Sequence, residues 1–181
     1  MTVNLVRAAQ MGDQRAFEAL ANASVDRLYA IARLVLHDGT LAEDAVQETL
    51  VRAWRSLKQL RDPELFDAWL RGVLVHACID AARSAKHDRQ VRELPMDVAD
   101  GSDFTTEVAE RDAVSKAFVA LSPIHRAAFI LRHYQGQSIP EIAKTLGVPL
   151  GTAKSRVHYA EQAMARAMDA DARWAPAGGA A

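Results

Sequence analysis

Apolar positions recur at helical spacing along most of the chain, and the alternation expected of strands is almost absent. Phe17, Leu20, Ser24, Leu28, Ile31 and Val35 fall on one stripe, with Asp13 placed to cap the helix that carries it. His37-Asp38-Gly39-Thr40 breaks that pattern. Val46, Leu50, Ala53, Trp54 and Leu57 then mark a second helix, which Arg61-Asp62-Pro63 interrupts. A third is predicted from about Phe66 to Arg83, burying Phe66, Trp69, Leu70, Val73 and Ala77.

From His87 to about Thr106 the periodicity fails, and a polar stretch containing Pro95 and Gly101 reads as a linker. Helical spacing returns with Val114, Phe118 and Leu121. Ser122-Pro123 opens the next helix as cap and first helical residue, and Ala127, Ile130, Leu131 and Tyr134 continue it. The expected fold is all-α: two small helical domains, 1–88 and 108–170, joined by a flexible linker over 89–107, with a disordered tail over 171–181. Trp54, Trp69 and Phe118 sit on apolar stripes and are expected in the cores.

The second domain contains a helix-turn-helix pattern. Ser138-Ile139-Pro140-Glu141 has the S-x-x-E spacing of a capping box, Ile142, Ala143 and Leu146 supply a short apolar face, and Gly147 supplies the turn. On the next helix Ala153, Val157, Ala160 and Met164 share the inward stripe, while Gly151, Lys154, Ser155, His158 and Gln162 lie opposite, flanked by Arg156 and Tyr159. This layout presents its second helix to the DNA major groove. Lys reaches guanine acceptors, Ser donors or acceptors, and Arg phosphate oxygens. The same spacing also fits an ordinary helical hairpin with a solvated polar face.

Hydrophobic residues make up 50% of the 181 residues and charged residues 25%, enough apolar surface for a core. Cys78 stands alone, which excludes an internal disulfide framework or a Cys-rich zinc site. No apolar run approaches the ~20 residues of a membrane span. The N-terminal stretch lacks a signal-peptide pattern, so the expected compartment is the cytoplasm. The six histidines are scattered and no phosphate-loop, H-E-x-x-H or nucleophile-elbow pattern is found, so no enzyme and no cofactor are expected. A formal net charge of −1 argues at first against nucleic acid. It divides unevenly: net −1 over residues 1–88, −3 over 89–107 and +3 over 108–181, so the basic excess lies with the helix-turn-helix.

Three strings in register, EDAVQETLVRAW (Glu43 to Trp54), FDAWLRGVLVHACIDAAR (Phe66 to Arg83) and SIPEIAKTLGVPLGTAKSRVHYAEQAM (Ser138 to Met164), resemble bacterial sigma factors of the extracytoplasmic-function (ECF) type. The resemblance runs over roughly residues 5 to 168. It implies that residues 1–88 form a region 2-like domain that docks on core RNA polymerase, at the β′ clamp helices, and recognises the minus-ten promoter element as it melts. Residues 108–170 would be a region 4-like domain reading the minus-thirty-five element. It further implies contact with the β subunit and promoter DNA, control by an anti-sigma factor, and no small-molecule substrate.

By the same resemblance, Asp44, Gln47, Glu48 and Val51, on one face of the second helix, would meet the polymerase. His76, Asp80, Arg83 and Lys86, with the loop from Leu60 to Asp67, would serve the downstream element. Asp80 at this spacing also suits a simple pairing with Arg83. Arg132, Lys154, Ser155, Arg156, His158 and Tyr159 would serve the upstream element. Family members commonly carry Asn at the position of His76 and often Arg at that of Lys154. Two other functions remain open, a stand-alone helix-turn-helix regulator and a sigma-mimicking decoy. The acidic Asp44/Glu48 face has no purpose in the first, and the chain lacks the βα alternation of a receiver domain that the second calls for.

Overall fold

The computed structural model describes residues 2–91 and 112–174, which belong to two compact units, Met1–Val98 and Ala99–Ala181. The fold is all-α, with no strand among the described residues. Residues 92–107 of the expected linker and 175–181 of the expected tail lie outside them.

The first unit contains α1 (Thr2–Gln10), α2 (Gln14–Leu36), α3 (Gly39–Ser56) and α4 (Phe66–Val91). Asp13 caps α2 by accepting from the Ala16 amide at 3.1 Å. The break between α2 and α3 is made by His37 in the left-handed conformation (φ 55°) and by Asp38, which accepts from the Leu41 amide at 3.0 Å. Leu20, Ser24, Leu28, Ile31 and Val35 are buried as the stripe predicts. The inner face of α3 is small (Ala42, Ala45, Val46, Thr49, Ala53), which lets it lie against both α2 and α4. Thr49 is fully buried, and its hydroxyl is satisfied by donating to the Ala45 carbonyl at 2.6 Å. From α4, Phe66, Leu70, Leu74 and Ala77 close the core, each large apolar side chain contributing about 1.5–3 kcal/mol by burial. The Gln10 side-chain amide donates to the carbonyls of Leu57 (3.1 Å) and Leu60 (2.7 Å), fastening α1 to the short turn after α3.

Three expectations are corrected in this unit. Trp54 is 40% exposed, covered on one side by the Phe17 ring at 5.0 Å, because its position borders Val51 on the outer face of α3. Trp69 and Val73 are half-buried rather than central. The helix α4 also continues past Arg83 to Val91, since residues 84–91 lose the apolar stripe but contain neither Gly nor Pro to stop a helix.

The second unit contains α5 (Asp112–Ala120), α6 (Pro123–Phe129), α7 (Ile139–Leu146) and α8 (Leu150–Trp174). Pro123 starts α6 as predicted, and the Ser122 hydroxyl pairs with His125 Nδ1 at 2.8 Å. Leu121, Ala160 and Met164 form a core with Phe118 and Phe129, whose rings meet edge-on at 5.8 Å. After Phe129 the chain widens into a π turn, Ile130–Tyr134, in which the Gln135 amide donates to Ile130 O, five residues back. The extra residue shifts the helical phase of the turn, so Tyr134 is 66% exposed instead of continuing the buried stripe.

Candidate nucleic-acid and partner interfaces

The helix-turn-helix is built from local chemistry. Ser138 donates to Glu141 Oε2 from its amide (2.8 Å) and its hydroxyl (2.6 Å), and these bonds hold the Glu141 carboxyl below the usual carboxylate range. Gly147 takes the left-handed conformation (φ 60°) that ends α7, and the Val148 amide returns to Ala143 O at 3.0 Å. Ala153, Val157, Ala160 and Met164 face the core as the sequence predicts.

One flank of α8, bordered by the core residue Val157, opens on a groove of about 460 Å³ whose lining includes Arg132, Lys154, Ser155, His158 and Glu161. Four of the predicted upstream-element residues, Arg132, Lys154, Ser155 and His158, are therefore brought together. Arg132 arrives from the π turn, with its Nη1 donating to Gln137 O at 3.0 Å. His158 pairs with Gln162 at 3.0 Å. The other two are not in its wall and turn toward His125 of α6 instead. Tyr159 is exposed and stacks on His125 at 4.5 Å. Arg156 is half-buried, with Nη1 shielded from solvent and lacking a hydrogen-bond partner. Burial lowers the His125 pKa, and the Arg156 charge lowers it further.

In the first unit Asp44, Gln47, Glu48 and Val51 are all exposed on one side of α3. Along α4, His76, Arg83 and Lys86 are exposed and Asp80 is half-buried. These two sets meet through Arg52. Its Nε donates to Glu48 Oε1 at 2.7 Å and its Nη1 to Asp80 Oδ2 at 2.9 Å. The pairing raises the Arg52 pKa, chiefly through Glu48 and then Asp80. The pair anticipated for Asp80, Arg83, stands farther off at 3.7 Å. In the Leu60–Asp67 segment, Asp62 caps the turn Pro63–Leu65, and Asp67 is paired with Arg27 of α2 at 2.8 Å.

Sequence reasoning missed Arg52 and Glu161. The i,i+4 spacing of Glu48 and Arg52 was a visible signal for half of the first tie. Glu161 enters the groove wall while bonded to His133 at 3.0 Å, a pairing across 28 residues that no local pattern announces. Among the described residues no group of His, Cys, Asp and Glu could hold a metal ion, and no helix is long and apolar enough to cross a membrane.

Residues 20–88 match the family Sigma-70 region 2, and residues 111–164 match Sigma-70 region 4. The chain is 35% identical over 163 residues to the ECF RNA polymerase sigma factor SigM of Mycobacterium tuberculosis, covering 90% of this chain and 82% of that one. It is 32% identical over 171 residues to the RNA polymerase sigma-E factor of Streptomyces coelicolor, covering 90% and 94%. Among solved structures it is similar to the sigma factor RpoE of Bartonella quintana, solved in complex with the anti-sigma factor NepR. That match has a TM-score of 0.65 at 26% identity and covers 84% of this chain and 96% of the other.

Proposed function

The chain belongs to the ECF-type bacterial sigma factors, and on that premise we propose how its residues divide the work. As such a factor it directs RNA polymerase to promoters and is a specificity subunit rather than an enzyme. Asp44, Gln47, Glu48 and Val51 form the face of α3 that meets core polymerase, an acidic and amide surface suited to a basic partner. His76, Asp80, Arg83 and Lys86 on α4 serve the minus-ten element, where unstacked bases accept edge hydrogen bonds. Arg132, Lys154, Ser155 and His158 read the minus-thirty-five element, with Arg156 and Tyr159 at its margin. The domain bounds 1–88 and 108–170 are part of this proposal, with α4 and α8 running a few residues beyond them.

The observation that carries this division is the groove beside α8. Arg132 and Lys154 come from separate elements, yet line one cleft along the flank of a capped helix-turn-helix. The likeness to RpoE in its complex with NepR supports an anti-sigma factor as the second protein partner.

Purified protein mixed with core polymerase should give promoter-directed transcripts, and protein alone none. Substituting Asp44→Arg should weaken core binding with helix content unchanged by circular dichroism. Unchanged affinity would remove this face of α3 from the docking surface. Strong duplex binding without polymerase would point instead to a stand-alone regulator.

A further inference from the structure

We infer that Arg52 is a positioning residue for promoter engagement, holding Asp80 on the DNA-facing stripe of α4 while Glu48 anchors the guanidinium from α3. The inference rests on the assignment of that stripe to the minus-ten element.

A carboxylate facing nucleic acid is an anomaly that calls for a physical reason. Asp80 lies between His76 and Arg83 on a surface meant to approach a polyanion, and an uncompensated carboxylate there would repel phosphates. Arg52 supplies the compensation with directional bonds. Its Nη1 engages Asp80 Oδ2 at 2.9 Å and its Nε engages Glu48 Oε1 at 2.7 Å, so the two edges of one planar group join two helices.

This leaves Asp80 Oδ1 with Arg83 Nη1 at 3.7 Å, beyond hydrogen-bond range. An oriented carboxylate whose charge is partly offset by Arg52, and whose Oδ1 has Arg83 only at ion-pair distance, is an acceptor for an exocyclic base amino group, such as that of cytosine. Arg83, 76% exposed, stays available to a phosphate.

A brace that served only stability is the competing explanation. The side chains of Arg52, Glu48 and Asp80 are 37%, 49% and 48% exposed, and ion pairs so solvated add little to folding. Their arrangement has more to contribute to where Asp80 points than to whether the domain folds.

The test uses holoenzyme, with core polymerase saturated by sigma so that any effect through Glu48 on docking cancels. Promoter use is measured on templates carrying each base at each position of the minus-ten element. Arg52→Ala should reduce use of the preferred template about tenfold and shift base preference in the same direction as Asp80→Asn. The double variant should be no worse than the worse single, since both act through one contact. Arg52→Lys should recover to within about threefold of the parent, because an ammonium still reaches Asp80 although it cannot fork to Glu48.

Losses that multiply in the double variant would overturn the inference. So would an Arg52→Ala protein with a lower melting temperature but an unmoved base preference. If Asp80→Asn changes nothing, the DNA-facing role of Asp80 falls first and the inference with it. If Asp80→Asn shifts preference and Arg52→Ala does not, the inference about Arg52 falls alone.

Discussion

Lys154 stands exposed on the groove wall of α8, one residue from Ala153 in the core, so truncating it removes a charge without opening a cavity. Lys154→Ala should cost the holoenzyme about 1–3 kcal/mol at its preferred upstream sequence. A loss equal on every sequence would reduce Lys154 to a phosphate contact. Cys78 behaves in the opposite way. It is fully buried on α4, and burial pushes its thiol up to about 12 from an ordinary 9.0. A raised folded value means that the unfolded chain ionises first as pH climbs. The contribution of Cys78 is therefore intact below about pH 9 and is lost progressively toward pH 12. Iodoacetamide at pH 8 should leave the native thiol unmodified and label it once denaturant unfolds the first unit. Rapid native labelling would contradict the burial.

Among the elements, those with an apolar stripe and a chemical stop at each end are legible in the sequence alone. The predicted Asp13 cap, the break at His37-Asp38, the Ser122-Pro123 start and the Ser138-to-Met164 hairpin all occur. The features that escaped were set by phase or distance. Periodicity places Trp54 near the apolar side of α3 but does not show that no neighbour covers its outer side. The polar end of α4 gave no stripe to trace, although nothing in it stops a helix. The Arg52 tie spans 28 residues from α3 to α4, and no local spacing predicts which acid on a second helix will face a given arginine. The turn of the helix-turn-helix is the element most exposed to a single change. Gly147 sits at φ 60°, where a Cβ costs about 1–2 kcal/mol. Gly147→Val should lower the thermal stability of the second unit by about that amount, and Gly147→Asn by less, since Asn tolerates this region. Equal losses for both would mean that the conformation is not what the position requires.

For the whole molecule, the near-neutral charge limits how well the chain holds DNA unaided. Four exposed cations stand on the surfaces proposed to face DNA: Arg83, Lys86, Arg132 and Lys154. Non-specific binding by the free protein should therefore show a log–log salt slope of about −4, much shallower than that of a strongly basic repressor. Fluorescence anisotropy on a duplex, with and without core polymerase, checks this, and a slope steeper than about −6 would reveal phosphate contacts beyond these four. The π turn at Ile130–Tyr134 has a bearing on how such specificity changes over generations. One inserted residue turns a helix by about 100°, and this turn separates the buried Ala127–Ala128 pair from Arg132, which leans over the groove. Loss or gain of a single codon there would re-aim Arg132 with every residue of α7 and α8 unaltered. On the proposed assignment of Arg132 and α8 to the upstream element, length variation ahead of α8 is a route to a new promoter preference that leaves α8 itself untouched.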